Sequence, residues 1–390
     1  MYRHRFINNL FLCVSMIFHG STFVFGQVSA PKYSNEFLAI GVGARAQSMG
    51  NTHVSVTNDI YSPYWNPAGL ASIETDYAAA LMHSSYFGGI SNYNFGAFSV
   101  PIDQKAQLAI SVIRLSIDNI PDTRFLYDAS GRINYDNIRF FSAADNAVFL
   151  SYATSVRRIR NLDFGMNFKI IYRKAGDFAN AWGFGLDLGW KYLLNKKWNI
   201  GLLLRDVTGT YNAWSHNPAL LFETYQATDN IIPDNSLEIT LPRIITGISR
   251  EFVIKEDFSI HPALDLEITF DGKRNVLLGT DFFSVDPRAG IEFGYKKLVF
   301  LRSGVNNFQQ IKDFDGSFSY TMQWNFGAGI ELYDFRLDYA LANATGSAPG
   351  LNSHIISLST QLNFLPYIPW LYKIFNPDEE PPSKIKQDEG

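Results

Sequence analysis

The alternation of residues 162–173 constrains the fold of this chain more than any other feature. Odd-numbered positions are polar, small or charged, except for an isoleucine, and the even-numbered ones are Leu162, Phe164, Met166, Phe168, Ile170 and Tyr172. A period of two indicates a β-strand, because successive side chains of a strand point to opposite faces. The segment exceeds the usual globular strand of about 5–6 residues and reaches the roughly 9–11 that a tilted strand needs to cross a bilayer. It therefore predicts a membrane strand with lipid on one face and a polar lumen on the other.

The composition favours a membrane protein that is built from strands. Charged residues make up 18% of the 390 residues and aromatic residues 15%, whereas ordinary soluble domains contain roughly 25% charged residues. Beyond the N-terminus no uninterrupted apolar run reaches the ~18 residues of a membrane helix. A closed barrel is then the structure that pairs every backbone group in lipid. The net charge of −4 predicts no general affinity for nucleic acid.

Strand-like patterns recur along most of the chain. Candidate strands lie near 75–85, 92–100, 106–116, 146–156, 162–173, 182–193, 198–205, 241–253, 257–268, 287–296, 298–305, 323–332, 334–341 and 352–364. Their number is even, as bacterial barrels of this type require. The predicted fold class is all-β, a transmembrane antiparallel β-barrel of about 14 strands. A soluble β-sandwich is the alternative. A sandwich does not explain why short and long connections alternate along this chain, as described next.

Short and long connections alternate along the chain. The short set is 101–105, 157–161, 195–197, 255–256, 297 and 333–334, and the long set is 117–145, 174–181, 206–240, 269–286, 306–322 and 342–351. Outer-membrane barrels have short periplasmic turns and long outer loops. This assigns the short set and both chain ends to the periplasm. The first connection, 86–91, is interpreted as a tight outer hairpin.

Two of the long loops are rich in aromatic residues. The candidate partner-binding positions are Phe125, Tyr127, Tyr135 and Phe140 in the first loop, and Tyr211, Trp214, Phe222 and Tyr225 in the second. Apolar groups in an outer loop indicate either a contact patch or a folded lid, and aromatic residues dominate many protein interfaces. A loop packed on its own barrel mouth is the alternative.

The two ends of the chain differ from the barrel. Residues 1–26 resemble an export signal, with basic Arg3 and Arg5 before an apolar run and a cleavage site after Gly26; a membrane anchor is the alternative. The single cysteine, Cys13, lies in this part, so the mature chain would have no thiol. Residues 27–72 form an N-terminal periplasmic or hatch segment, 73–364 the barrel and 365–390 a periplasmic tail. The acidic end of the tail, 378–390, is either a docking handle or a solvated end. The whole pattern places the protein in a Gram-negative outer membrane.

The hatch segment carries a recognisable motif. Glycines and prolines interrupt any long strand here, so it is predicted to pack within or beneath the barrel. Residues 43–71 read GARAQSMGNTHVSVTNDIYSPYWNPAGLA, and the motif residues are Gly43, Arg45, Met49, Gly50, Asp59, Trp65, Asn66, Pro67 and Gly69. This run resembles the N-terminal signature of the PorV/PorQ group, which are outer-membrane barrels of the type IX secretion system of Bacteroidetes, related in fold to the FadL fatty-acid transporters. The chain departs from the group's pattern at 51–53 and 58–60. Asn66 and Pro67 are predicted to form a tight turn inside the barrel wall, because proline restricts the preceding residue to an extended conformation.

The sequence offers no recognisable catalytic constellation. His53, His83, His216, His261 and His354 are scattered without metal-ligand spacing, and neither a Gly-x-Ser-x-Gly elbow nor a phosphate-binding loop occurs. Carboxylates on the polar strand faces are Asp163, Asp187, Asp265, Glu267, Glu292, Glu331 and Asp338; nearby cations are Lys169, Arg173, Lys191, Arg205 and Arg336. This mixture predicts a structural ion network across the lumen. We expect no enzyme activity, no metal and no cofactor.

Two functions follow from these features. The PorV/PorQ resemblance implies a non-catalytic component of type IX secretion that docks or shuttles cargo between translocon and cell surface. Its expected partners are the large outer-membrane translocon barrel, secreted proteins with C-terminal signal domains, and membrane lipid; a PorQ-like role in the surface attachment complex is related. The alternative is a FadL-like transporter of hydrophobic small molecules.

Overall fold

A computed structural model describes residues 34–73, 77–103, 105–128, 130–231, 235–312, 316–342 and 352–362. The export signal predicted at 1–26 and the tail predicted at 365–390 lie outside these residues. Within them, no helix is both long and apolar enough to span a bilayer.

Strands make up most of the described chain. They are β1 (Tyr77–Tyr86), β2 (Ser91–Pro101), β3 (Ala106–Asp122), β4 (Arg139–Ser155), β5 (Leu162–Ala175), β6 (Ala179–Leu194), β7 (Trp198–Arg205), β8 (Thr210–His216), β9 (Ser236–Thr240), β10 (Arg243–Ser249), β11 (Phe252–Ile254), β12 (Phe258–Thr269), β13 (Leu278–Gly279), β14 (Ser284–Tyr295), β15 (Val299–Lys312), β16 (Phe318–Leu332), β17 (Phe335–Ala342) and β18 (Ser353–Leu362). The α-helices are α1 (Ala44–Ser48), α2 (Ser62–Trp65) and α3 (Pro218–Ala227), and 3₁₀ turns cover Glu36–Leu38, Pro67–Ser72, Phe87–Gly89 and Tyr135–Asn137.

The sheet closes on itself, because β1 pairs with β2 on one side and with β18 on the other. Several elements are pieces of one longer strand. β7 and β8 pair with successive parts of β6, and β9, β10 and β11 follow one another in the next position; β13 is a two-residue addition beside β14. Counted in this way, fourteen antiparallel strands form the ring. The predicted fold class is confirmed.

The two faces of β5 have the predicted polarity. In β5, Gly165, Asn167, Lys169 and Ile171 are buried, whereas Met166 and Phe168 are 38% exposed. Aromatic rings pair on the outer surface, for example Phe168 with Phe184 at 6.2 Å between ring centroids. The apolar residues therefore point out of the barrel, where lipid solvates them at no cost.

Tight turns join the strands at one end of the barrel. Asn195 with Lys196, Lys255 with Glu256, and Lys296 with Lys297 all have positive φ. Two consecutive residues of this kind form the hairpin turn whose twist matches the twist of the flanking strands. We call this end the short-turn end and the opposite end the long-loop end.

At the long-loop end the strands run further than predicted. β3 continues to Asp122, and β4 begins at Arg139, so Phe140 lies in a strand and not in a loop. Tyr211 and Trp214 lie in β8, while Phe222 and Tyr225 lie in α3. The placement of Phe140, Tyr211 and Trp214 in loops was therefore wrong. The physical reason is that beyond the lipid a strand no longer needs one apolar face, so the ladder continues after the alternation has stopped.

Candidate functional site: the barrel interior

Residues 34–73, here called the N-terminal segment, pack against the inward faces of the strands. Helix α1 contacts β15 to β18, and the 3₁₀ turn Pro67–Ser72 contacts β3 to β6. Most side chains of the segment are buried, including Val42, Met49, Ile60 and Leu70 at 0–1% exposure. The segment thus touches strands on widely separated parts of the ring.

Inward-facing glycines admit the backbone of the segment to the wall. Four of them, Gly165, Gly201, Gly290 and Gly304, lie against the backbone of the segment, whereas Gly189 and Gly327 lie against its side chains at Asn66, Pro67 and Ser48. A Cβ atom at Gly165 would overlap Ala68 N, one at Gly201 would overlap Val54 O, and one at Gly304 would overlap Met49 C. Glycine inside a strand often marks the close approach of another backbone. Sequence reasoning missed this role, although glycines on the polar strand faces were a signal for it.

Polar side chains of the wall also bind the backbone of the segment. The Asp265 carboxylate accepts hydrogen bonds from the backbone N–H groups of His53 (2.7 Å) and Val54 (3.0 Å). Arg205, Asn167 and Lys191 donate to the carbonyl oxygens of Tyr64, Pro63 and Thr57, each at 2.7 Å. These bonds satisfy buried backbone groups that belong to no regular ladder.

His53 is almost completely buried. Its ring lies edge-on to Trp65, with 5.8 Å between centroids. Burial lowers the pKa of His53 well below its usual range. The imidazole is therefore neutral at physiological pH, and it serves packing.

The motif residues are brought together, and most contact each other or the wall. Arg45 donates two hydrogen bonds to Glu292 of β14, from Nε (3.0 Å) and from a terminal nitrogen (2.8 Å), and lies 3.7 Å from Asp59. Trp65 Nε1 donates to Val42 O at 2.8 Å. The first contact joins the segment to the wall, and the second folds the segment on itself.

Asn66 and Pro67 lie at the contact with β5 and β6. Asn66 is extended (φ −166°, ψ 105°) and fully buried, and its amide donates to Val54 O and Trp190 O, both at 3.0 Å. Pro67 packs against Gly165 and Gly189.

The motif glycines serve backbone geometry. Gly43 and Gly50 have φ values of 81° and 67°, which favour glycine. Met49 between them is fully buried. A Cβ atom at Gly69 would lie 2.7 Å from Thr57 O, so the fold has no space for one.

One part of the inner wall is ionic. Lys169 pairs with Asp187 (2.8 Å) and Asp206, and Arg302 pairs with Asp338 (2.9 Å) and Glu292. Further pairs are Arg243–Glu267, Arg288–Glu267, Arg336–Asp338, Arg336–Glu331, Arg173–Asp145 and Arg173–Glu238. The predicted luminal ion network is confirmed. Its detail differs at Asp265, Lys191 and Arg205, which bind the backbone of the N-terminal segment. It also differs at Asp163, which accepts hydrogen bonds from Ser72 (3.2 Å) and Ser155 (2.6 Å).

The other part of the inner wall is apolar. Inward side chains of β18 and β1 to β5 pack against apolar side chains of the N-terminal segment; the wall contributes Met82, Tyr93, Phe95, Ile113, Phe149, Ile171 and Ile355, and the segment Phe37, Val42, Ile60, Tyr61, Trp65 and Leu70. Tyr61 stacks on Phe95 with 5.4 Å between centroids. A water-filled barrel normally has a polar interior. We call this region the apolar wall.

A cavity of about 500 Å³ lies between the segment and the wall. The segment lines it with Glu36, Ile40, Gln47 and Asn51, and the strands line it mainly with amide and charged groups such as Arg243, Glu267, Asn306 and Asn325. Tyr86, at the end of β1, and Leu115, within β3, contribute to its apolar side. The cavity therefore joins the ionic part to the apolar wall.

The eight aromatic positions expected to bind partners have different environments. Phe125, Tyr127, Tyr135, Phe140 and Phe222 are exposed. Tyr211 faces outward opposite Phe184, whereas Trp214 donates to Glu238 (2.7 Å) and lies 5.0 Å from Arg173. Tyr225 is half-buried in α3.

The remaining histidines do not form a metal centre. His83 bonds Asn94 (2.8 Å) and His354 bonds Tyr339 (2.7 Å) on the outer part of the wall. In the part of the chain that the structure describes, no three His, Cys, Asp or Glu residues are grouped to hold a metal ion.

Comparison with known proteins gives structural likenesses but no sequence relatives. No family model and no curated protein matches the chain. Similar solved structures are the monoaromatic hydrocarbon channel CymD (12% identity, TM-score 0.54), the toluene transporter TodX of Pseudomonas putida (13%, 0.53) and the toluene transporter TbuX of Ralstonia pickettii (13%, 0.52). Each match covers 83% of this chain and 98–99% of the other. The chain therefore has the fold of outer-membrane hydrocarbon channels.

Proposed function

We propose that this protein is a non-catalytic outer-membrane barrel that carries small hydrophobic molecules across the membrane. The apolar wall is the observation that carries the proposal, because a barrel that conducts water or ions has no use for it. The likeness to channels for toluene and other monoaromatic hydrocarbons supports it at the level of the fold. Export through the signal at 1–26 and a periplasmic short-turn end belong to the same proposal.

The two parts of the interior would then have different roles. One side of the N-terminal segment is held to the ionic part of the wall by hydrogen bonds: Asp265 accepts from His53, Glu292 accepts from Arg45, and Arg205 donates to Tyr64 O. On the other side the contacts are mainly apolar, and hydrogen bonds from Tyr86 to Gln47 Oε1 (2.8 Å) and from Asn167 to Pro63 O (2.7 Å) accompany them. A hydrophobic solute that enters there replaces the apolar contacts between the segment and the wall with equivalent contacts to itself. Separation of the segment from the wall therefore costs little net free energy while the solute is present.

Uptake measurements test the proposal. A deletion strain is complemented with the wild type or with Ile113→Thr/Ile171→Thr, which adds two hydroxyl groups to the apolar wall. We expect initial uptake of labelled toluene to fall by about tenfold, since each buried hydroxyl costs roughly 1–3 kcal/mol. Ile110→Thr is the matched control, because Ile110 lies on the outward face of β3, the strand that also contains Ile113. Unchanged uptake in the deletion strain itself would refute transport.

A second candidate is the secretion role. The signature at 43–71 and the exposed aromatics Phe125, Tyr127, Tyr135 and Phe140 favour it. It implies contact with a large translocon barrel and with cargo that ends in C-terminal signal domains. In the same deletion strain, retention of such cargo in the periplasm with normal toluene uptake would favour secretion. Normal secretion with lost uptake would favour transport.

A further inference from the structure

A groove interrupts the wall at the short-turn end, away from the N-terminal segment. The last residue pair between β7 and β10 is Asn199 with Ser249. Beyond it β11 pairs with β12, and it has no ladder on its other side within the described residues. The space between β11 and the turn that joins β6 to β7 forms an open groove of about 760 Å³.

The lining of this groove is amphipathic. Its cations are Lys196, Lys197 and Arg250, its apolar residues include Phe252, Val253, Ile254 and Ile260, and Glu251 is an acidic neighbour. Val253 is 65% exposed and Ile254 44%. Three consecutive exposed apolar residues beside a basic turn indicate a surface that meets both a charged group and hydrocarbon.

Among the described residues, the three cations of the groove have no ionic partners. Neither lysine nor Arg250 forms an ion pair with any residue that the structure describes, whereas luminal Arg302 and Lys169 have two carboxylates each. The Arg250 guanidinium lies over the rings of Phe252 (4.4 Å) and Trp198 (5.3 Å). Aromatic rings thus hold a positive charge that nothing in the described chain neutralises.

We infer that this groove binds an anionic phospholipid. The phosphodiester would contact Arg250 and the two lysines, because guanidinium groups match phosphate geometry and basic clusters at membrane surfaces attract anionic headgroups. The acyl chains would lie on Phe252 and Ile254, which pair with Ile260 and Phe258 on the outward face. A free phosphate ion would use the cations but not this apolar surface.

Native mass spectrometry of the purified full-length protein in detergent tests the inference. Dioleoyl-phosphatidylglycerol and dioleoyl-phosphatidylcholine are titrated separately. We expect Lys196→Gln/Lys197→Gln/Arg250→Gln to weaken binding of phosphatidylglycerol at least about tenfold and to leave phosphatidylcholine unchanged. The matched control is Lys296→Gln/Lys297→Gln, a basic turn of the same geometry between β14 and β15.

Several outcomes would overturn the inference. They are an undiminished affinity in the triple variant, an equal loss in the control variant, or complete displacement of the lipid by an equimolar amount of inorganic phosphate. Heat-resistant folded mobility on gels verifies that each barrel is intact. If the triple variant does not fold, Lys196→Gln/Lys197→Gln changes only two exposed turn residues, and it must still weaken binding.

Discussion

At the scale of single residues, the absence of a side chain is what lets the interior form. Gly304 contacts the backbone of Met49 and Gly50, and Gly165 contacts that of Pro67 and Ala68. Asp265 also contacts the backbone of the segment at short range, because its carboxylate accepts hydrogen bonds from two backbone N–H groups. Small changes at these positions should therefore act on the N-terminal segment more than on the barrel.

Gly304→Val tests the close approach. Its side chain would overlap the backbone of Met49, so the segment has to move, and overpacking of this kind costs about 1–3 kcal/mol or more. We expect faster protease cleavage within 34–73 while folded mobility on gels persists. Gly96→Ala is the control, because the nearest atom to an added Cβ there is Leu81 Cδ2 at 3.5 Å. Equal protease resistance of both variants would contradict the contact.

Asp265→Asn and Asp265→Leu test the hydrogen bonds to the segment. A single Asp265 oxygen accepts from both His53 and Val54, so asparagine can keep both bonds but with an uncharged, weaker acceptor. Leucine leaves two buried N–H groups without a partner, at about 1–3 kcal/mol each. We expect protease resistance of the segment to decrease in the order wild type, Asn, Leu. Hydrogen exchange at the amides of residues 53 and 54 gives a direct measure, and identical exchange in all three proteins would disprove the role.

At the scale of elements, the N-terminal segment lies between the ionic part of the inner wall and the apolar wall. Its own sequence carries charged and apolar side chains that suit both. Helix α1 presents Arg45 to the ionic part of the wall, and Tyr61, immediately before α2, packs on the apolar wall. The strands supply the matching surfaces in a regular order around the ring. This explains why one segment without long regular structure can be buried almost completely.

Removal of residues 34–73 should open the barrel. The deletion leaves the predicted export signal and all strands in place, so we expect a large rise in single-channel conductance in planar bilayers, because a ring of this size encloses a channel when it is not filled. Deletion of α3, outside the wall, is the control and should leave conductance low. A deletion variant that folds but does not conduct would show that other parts close the lumen.

At the scale of the whole molecule, closure of the ring between β1 and β18 makes the strands interdependent. Each of the fourteen positions in the ring is paired with both of its neighbours over at least part of its length, and within the described residues β11 lacks a partner on the side away from β12. The protein should therefore unfold as a unit, with heat-modifiable mobility on gels. Elements outside the ring should contribute little to this behaviour.

Deletion of residues 378–390 tests that expectation. The acidic tail follows the last strand, so we expect barrel assembly to be unchanged and the temperature of the mobility shift to stay within about 2–4 °C of the wild type. A deletion within β18, which removes the partner of β1, should abolish the folded form. Loss of the folded form in the tail variant would assign the tail a role in assembly.

Local sequence patterns determined much of the fold of this protein. The alternation in 162–173 correctly predicted which residues of β5 face out, because lipid imposes a period of two on every strand it touches. The mixed charges on the polar strand faces likewise predicted a luminal ion network, to which the pair Lys169–Asp187 belongs. The signal failed at Tyr211 and Phe140, where water or protein replaces lipid and the alternation is no longer required.

Only the tertiary structure decided how the interior is occupied. Asp265 was assigned to an ion network, but it binds backbone N–H groups more than 200 positions earlier in the chain. Whether an inward glycine faces water or another backbone depends on the path of the N-terminal segment, which no local period records. The environment of a strand is set by its immediate surroundings, so the alternation in its own sequence indicates that environment. The path of a segment through the lumen depends on the sum of many contacts with residues that are distant in the sequence.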